Sequence, residues 1–376
     1  MELRHAVVVV TGASSGIGRA TAVGCARQGA RVVLAARSAD QLRDVAAQCA
    51  ARGGRALVVP TDVSDERAVA RLADAAVGAF GRIDVWINAA GVGVLGRFDQ
   101  VPVPDLRRLL DVNLLGAVHG ARAAVPVMRR QGRGVVIDVA SVLGGRITAP
   151  YMGGYAMSKA ALVTFDEVLR EELRLLGEPG IKVCTVLPTG VDTPFFRHAA
   201  NHSGRELRSL PAVATPERVA RAVVRTARRP RGRVLVGPYA RLLALGQGVA
   251  PPLVRRAVGR RTDRAYLGDG PPAQPVSGVL RAPSGPSAAV HGGRHGALRT
   301  FVRRAVAAAA LPAALRAAHA ARAAYAARAA YAARAGRGVR AAGRAADTPR
   351  AARTPRHPHA PRPPRAPRWP PTHGAA

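Results

Sequence analysis

Short, unbroken apolar runs recur along the first 240 residues, each followed by a segment of helical length, and this alternation restricts the fold more than any other feature. Ala6–Val10, Val32–Leu34, Leu57–Val59, Ile83–Ile87, Val135–Ile137 and Val183–Leu187 are such runs, and Arg233–Val236 is the last. Ile17–Gln28 and Ala39–Ala51 read as helices between them, the second ended by Gly53 and Gly54. A strand that is apolar at successive positions is buried on both faces, and a parallel sheet covered by helices on each side provides that burial. The expected class is doubly wound α/β, a parallel sheet in a three-layer α/β/α arrangement. From Ala240 to Arg261 a mixed apolar and basic stretch predicts one or two short helices against the domain edge.

Beyond that point the composition changes. Residues 251–376 hold 23 Arg, no Lys and three acids, so this third of the chain supplies +20 of a formal +34. Gly, Pro and Ser dominate from Gly268 to Gly296, Ala makes up 24 of the 46 residues from Phe301 to Ala346, and the last thirty residues contain nine Pro. Alanine buries too little area to offset the entropy of ordering the chain. The expected organisation is a catalytic or binding domain over residues 1–240, a short helical segment over 241–262, and a low-complexity basic C-terminal extension over 263–376, largely disordered. Arg316, Arg322, Arg328, Arg334 and Arg340 recur every six residues. Six residues advance a helix by a net 240° or so, so these arginines visit three faces and form no stripe.

Three cysteines without metal spacing fit a reducing compartment. Neither a secretory leader nor an apolar run of membrane-spanning length is visible, so a soluble, cytoplasmic protein is the expectation.

Thr11-Gly12-Ala13-Ser14-Ser15-Gly16-Ile17-Gly18 lies between the first strand and the first helix. There a doubly wound sheet holds a dinucleotide's pyrophosphate against backbone N–H groups at a helix N-terminus. Gly12 permits the turn, Gly16 lets the backbone approach phosphate, and Gly18 lets helix and strand pack closely. The spacing is TGxxxGxG. Further motifs stand in order: Asp62 after the third strand, Asn88-Ala89-Ala90-Gly91 after the fourth, then Asn113, Ser141 and Tyr155-Ala156-Met157-Ser158-Lys159. Over residues 5–240 the chain resembles the short-chain dehydrogenase/reductase family. The resemblance implies a single Rossmann domain, with Asp62 and Val63 against adenine, Asn88 steadying the central strands, and the Gly91 backbone near the cofactor. Ser14, Ser15 and Ile17 belong to the same phosphate loop.

Cofactor choice is read just past the second strand. An acid there would take the ribose 2′-hydroxyl and repel a 2′-phosphate. Ala36 supplies none, and Arg37 can clamp a phosphate through charge-assisted bonds, so NADP (NADPH) is favoured over NAD.

Tyr155 and Lys159, four apart, share one face of a predicted helix. A phenol is a weak acid-base group at neutral pH, and a neighbouring ammonium stabilises its phenolate. Ser141 leaves its strand where such sheets bind ligands and can hydrogen-bond the substrate oxygen. By resemblance Lys159 also holds the nicotinamide ribose, and Asn113 positions a water linking Lys159 to solvent. A Tyr-x-x-x-Lys pair alone would be an ordinary surface pair; Asn113, Ser141 and the phosphate loop in family order give it chemistry. The chain writes its positive charge as Arg 55 times and as Lys only at Lys159 and Lys182, and one of the two falls where a compact ammonium is required. The Pro188-Thr189-Gly190 turn departs from the family's Pro-Gly, yet Pro188, Val191 and Thr193 are expected near the nicotinamide and phosphates.

The substrate pocket is expected between residues 142–154 and 194–213. Leu143, Ile147, Tyr151 and Met152 would line one side; Phe195, Phe196, His198, Asn201 and His202 would line the other. Apolar walls suggest a hydrophobic alcohol or carbonyl. His198 and His202 have no evident third ligand, so no metal is expected. The leading reading is an NADP-dependent oxidoreductase acting on a small molecule, a homodimer or homotetramer by resemblance. The alternative is a non-catalytic dinucleotide-binding protein tethered to nucleic acid or anionic membrane by its basic tail, which lacks the interleaved aromatics of a specific nucleic-acid module.

Overall fold

A computed structural model describes residues 1–206, 213–264, 272–282 and 289–292, with the isolated positions 320 and 323. The chain divides into two units, 1–322 and 323–376, and the sheet and its helices belong to the first. The Arg/Ala repeat through Arg340 and the Pro-rich end lie outside the described residues apart from those two positions.

Each expected strand forms. In chain order the elements are β1 (Val7–Thr11), α1 (Gly16–Ala26), β2 (Arg31–Ala36), α2 (Ala39–Ala50), β3 (Arg55–Pro60), α3 (Glu66–Phe80) and β4 (Val85–Asn88). Then come β5 (Val94–Leu95), α4 (Val103–Leu110), a π-helical turn (Asp111–Leu115), α5 (Gly116–Gln131), β6 (Gly134–Val139), the single turn α6 (Val142–Gly145) and α7 (Gly153–Leu175). The domain continues through β7 (Ile181–Pro188), α8 (Phe195–His198), β8 (Ala200–Asn201), α9 (Pro216–Arg228) and β9 (Arg233–Val236). The expected short helices are α10 (Ala240–Val249) and α11 (Pro251–Thr262). Helix starts follow local chemistry: the Ser38, Asp65 and Thr215 side chains accept from backbone N–H groups of the first turns of α2, α3 and α9.

Seven strands form one sheet in the order β3-β2-β1-β4-β6-β7-β9, with every pairing parallel. Alternate residues of each strand serve opposite layers. Val8, Val10, Leu34, Ile87 and Ile137 pack with Cys25, Leu42, Val45, Val219 and Val223 of α1, α2 and α9. Val7, Val9, Val33, Trp86 and Val136 pack with Leu72, Ala76, Val125, Met128 and Leu173 of α3, α5 and α7. The doubly wound α/β class is what these sequences build, because a strand such as β1, buried at all five residues, has no solvent face. Strand order reverses between β1 and β4, and the carboxyl ends of those strands define where a ligand crevice opens. No helix among the described residues is long and apolar enough to cross a membrane.

Within the basic extension, residues 272–282 and 289–292 lie along the domain. Val276 and Pro272 bridge antiparallel to Asn201 and Arg205, and the Val279 N–H donates to the His198 carbonyl at 2.9 Å. Leu280 is fully buried among the residues under α3 and α5. The composition of this stretch predicts a largely disordered segment instead.

Candidate active site

At the crossover a cavity of about 660 Å³ opens, walled by the carboxyl ends of the central strands. Thr11 ties β1 to β4 there: its Oγ1 donates to the Ile87 carbonyl and accepts from the Ala89 and Ala90 N–H groups. The glycine turn follows immediately. Gly12 has φ +65°, and a Cβ on it would lie 2.7 Å from the Ala90 backbone. A Cβ on Gly18 would lie 2.1 Å from the Gly12 carbonyl oxygen, so α1 rests directly on the turn. The backbone just after β4 and the first turn of α1 therefore approach this loop more closely than any side chain permits.

Of the residues singled out from the sequence, Gly12, Ser14, Ser15, Gly16, Ile17, Gly18, Arg37, Asp62, Val63, Gly91, Ser141, Tyr155, Lys159, Pro188, Val191 and Thr193 all line this one cavity. Asn88 and Asn113 stand behind its wall. Asn88 accepts from Trp86 Nε1 at 2.8 Å and donates to Asp138 at 2.6 Å, bracing β4 against β6. Asn113, on the π-helical turn, accepts from the Val92 N–H at 2.8 Å and donates to the Val92 carbonyl and to Ser158 Oγ. A Cβ on Gly91 would meet Asn113 Oδ1 at 3.5 Å and Lys159 Nζ at 3.9 Å, so the three groups converge on one point.

At the far end of the cavity, Asp62 accepts from the Ser64 N–H and hydroxyl and from Arg108 Nη2 at 2.6 Å. Burial works against its charge, but the Ser64 bonds and the Arg108 guanidinium outweigh it and hold the carboxyl below its ordinary range. Arg37 is half-buried. Its Nη2 donates to the Val279 carbonyl at 2.8 Å, while Nη1 is buried with no partner among the described residues. The returning segment also reaches the glycine loop, where the Gly16 N–H donates to the Ala289 carbonyl at 3.2 Å.

Tyr155 and Lys159 project from the first turns of α7 on one face, as their spacing requires. Lys159 is 4% exposed, and its Nζ donates to the Val139 carbonyl at 3.0 Å and lies 5.9 Å from the Tyr155 ring centre. Burial pushes its ammonium down to about 8, opposed by the charges of Asp138 and Asp166. Burial pushes the Tyr155 phenol up to about 12, and a hydrogen bond from Ser141 works in the other direction. Ser141 Oγ also accepts from the Leu143 N–H, which fixes its rotamer at the end of β6. The Phe195 ring packs edge-on to Tyr155 at 5.3 Å.

The loop after β7 accommodates its unusual threonine through a partner glycine. A Cβ on Gly237 would lie 1.9 Å from Thr189 Oγ1, so the space a glycine at 189 would have left is supplied from β9's end instead. Val191 bridges to Ala214, and Thr193 packs against Gly16.

Leu143, Ile147, Met152, Phe195, Phe196 and His198 line the cavity as expected. Tyr151, Asn201 and His202 do not. Tyr151 donates to Asp263 at 2.6 Å, His202 pairs with Asp105 at 2.9 Å, and Asn201 bonds to Ser203 and Arg205. Leu242 and Leu243 of α10 and Val258 and Thr262 of α11 complete the wall, with Tyr239 between β9 and α10. Their mixed apolar and basic composition placed those helices at the domain edge, but no motif pointed them at the cavity.

A family model for short chain dehydrogenase matches residues 6–203. The chain is 36% identical over 259 residues to the uncharacterized oxidoreductase YxnA of Bacillus subtilis (strain 168), covering 68% of this chain and 72% of that protein. Among solved structures it is similar to an alcohol dehydrogenase of the archaeon Thermococcus sibiricus complexed with 5-hydroxy-NADP, with a TM-score of 0.56 and 27% identity over 63% of this chain and 98% of that one. A short chain dehydrogenase/reductase of Burkholderia phymatum in complex with NAD gives a TM-score of 0.60 and 27% identity over 74% and 99%. The chain belongs to the short-chain dehydrogenase/reductase family. It is thereby a dinucleotide-binding oxidoreductase.

Proposed function

We propose that the protein is an NADP-dependent oxidoreductase interconverting a hydrophobic carbonyl compound and its secondary alcohol, with Tyr155 as general acid and base. The observation that carries this reading is the convergence of Ser141, Tyr155 and Lys159 on the same cavity as the glycine loop. The cradle fits a dinucleotide: Gly12 and Gly18 leave no room for a Cβ, and the buried Nη1 of Arg37 has a donor to spare for a 2′-phosphate. Gly12, Ser14, Ser15, Gly16, Ile17 and Gly18 would hold the pyrophosphate, Asp62 and Val63 the adenine end, and Gly91, Lys159, Pro188, Val191 and Thr193 the nicotinamide half. The solved relatives are complexed with NADP and with NAD; Arg37 and the absence of an acid at Ala36 support NADP.

When bound, the dinucleotide supplies or accepts the hydride. The protein's own part is proton management. Ser141 Oγ orients the substrate oxygen towards Tyr155. The buried phenol is protonated at neutral pH, so it can donate to the oxygen of a carbonyl as that oxygen gains charge. Lys159 lowers the cost of the phenolate left behind, and of the phenolate that must accept a proton in the reverse direction. Phe195, Phe196, Met152 and Leu143 exclude water and favour an apolar substrate over a phosphorylated one. Pairing with a second copy through α5 and α7 agrees with the exposed Leu115, Met157 and Val168 beside them.

Turnover of NADPH across a panel of carbonyl compounds and alcohols, with Tyr155→Phe as the blank, tests this function. Tyr155-dependent NADPH consumption is expected with at least one apolar carbonyl, and a rate that Tyr155→Phe leaves unchanged would refute it. The returning segment adds a second expectation. The Val279 and Ala289 carbonyls take Arg37 Nη2 and the Gly16 N–H, two donors a dinucleotide needs. Deleting residues 272–376 is expected to lower the Kd for NADPH about tenfold, the worth of two exchanged hydrogen bonds. Nicotinamide fluorescence measures it; an equal or higher Kd contradicts the competition.

A further inference from the structure

Beneath α7 the sheet carries charge that hydride and proton transfer do not use. Asp138 on β6 and Asp166 on α7 are both 0% exposed. Asp138 Oδ1 accepts from Asn88 Nδ2 at 2.6 Å, and Asp166 Oδ2 accepts from Thr185 Oγ1 at 2.5 Å. One oxygen of each, Asp138 Oδ2 and Asp166 Oδ1, is left buried without a donor among the described residues. The two carboxyl groups lie close enough to act on each other. Two carboxylates offer only acceptors, and two adjacent buried negative charges repel strongly, so a bond between them requires a proton.

Their position relates them to Lys159. Asp166 follows Lys159 by seven residues, nearly two full helical turns, so both share one face of α7. Asp138 immediately precedes Val139, whose carbonyl takes Lys159 Nζ. The other charged or titratable groups around the pair are few. Arg170 on α7 donates to the Val183 and Gly232 carbonyls and its charge also acts on Asp166, while Arg233 on β9 is paired with Glu167. Cys184 on β7 is a thiol pushed up to about 11 by burial. β4 and α5 present only neutral groups, Trp86, Asn88 and the Ala117 carbonyl.

We propose that Asp138 and Asp166 hold one proton between them, and that the single negative charge left on the pair is the counter-ion that keeps buried Lys159 an ammonium. They are positioning residues, acting on Tyr155 only through Lys159. Both carboxyl groups are driven upward, first by burial, which is the direction that favours a shared proton. This assignment rests on reading Lys159 as the cation that supports Tyr155, but its test does not use turnover.

Because the chain has only Lys159 and Lys182, the full-length protein labelled with ¹³C at lysine Cε gives two side-chain NMR signals, which Lys182→Arg assigns. Exposed Lys182 serves as the internal reference. Asn resembles a protonated Asp, so Asp138→Asn or Asp166→Asn alone leaves one negative charge and is expected to move the Lys159 midpoint little. The double variant removes the charge and is expected to lower that midpoint by about one pH unit or more, a tenfold change in its proton affinity. A double variant titrating with the wild type overturns the counter-ion, and single variants shifting as far as the double overturn the shared proton. Infrared spectroscopy adds a readout that needs no double variant: wild type at neutral pH should show one buried carboxylic-acid carbonyl stretch that either single substitution abolishes. Its absence from the wild type overturns the proposal. A silent substrate panel leaves these results standing, and their failure leaves hydride transfer standing.

Discussion

Tyr155→Phe is expected to reduce turnover about 10²–10⁴-fold, the range a positioned general acid-base contributes, while NADPH binds with a nearly unchanged Kd. The substitution removes one oxygen and keeps the ring that packs edge-on to Phe195. Stability should therefore change little, since the lost hydrogen bond to Ser141 is worth about 1 kcal/mol. The dinucleotide contacts assigned to the glycine loop and Arg37 are untouched. Loss of kcat with retained fluorescence enhancement of NADPH separates chemistry from binding. A variant that binds NADPH much more weakly would instead place the phenol in the binding contacts, and one that turns over normally would remove it from the reaction.

Arg37→Asp is expected to exchange the cofactor preference. The guanidinium is half-buried beside Asp62 and Arg108, and burial pushes its pKa down without neutralising it. Charge-assisted bonds of this kind are worth about 1.5–3 kcal/mol, so NADPH should bind roughly 10- to 100-fold more weakly. A carboxylate at this place repels a 2′-phosphate and can accept from a ribose hydroxyl, so NADH should gain relative to NADPH. Comparing kcat/KM for the two nucleotides on one substrate measures the exchange. An unchanged ratio would assign the preference elsewhere, with Arg108 of α4, which donates to Asp62, the next guanidinium to test.

The sheet was legible because its signal is dense: strands apolar at successive positions admit few architectures, and all seven formed as read. The paired strands β5 and β8, two residues each, have no periodicity to read. The part of the cavity around the glycine loop and α7 was legible through spacing, since glycine turns and Tyr-x-x-x-Lys fix geometry over a few residues. The loop walls were less so. Tyr151, Asn201 and His202 lie in the expected segments yet turn towards Asp263, Ser203 and Asp105, because no repeat fixes where a loop side chain points. The return of residues 272–282 left one faint mark, the apolar Val276, Val279 and Leu280 within a Gly/Pro/Ser stretch. Asp138 had a plainer one: an acid in the middle of Val135-Val136-Ile137-Asp138-Val139, a strand buried on both faces, demands a partner. Only the fold shows that Asn88 meets one of its oxygens and that a second acid, Asp166, acts on it.

A buried phenol becomes a usable base once an ammonium and an oxidised nicotinamide stand beside it, and the proposed chemistry depends on this. Burial, outweighing the Ser141 hydrogen bond, leaves Tyr155 near 12, a protonated acid suited to carbonyl reduction, whose base form accumulates only as pH rises. An ultraviolet difference titration on adding oxidised NADP, wild type against Tyr155→Phe, follows that phenolate directly. The expected result is a phenolate signal emerging at least about two pH units below 12 in the wild type and missing from Tyr155→Phe; superimposable titrations of the two proteins up to pH of about 10 would contradict it.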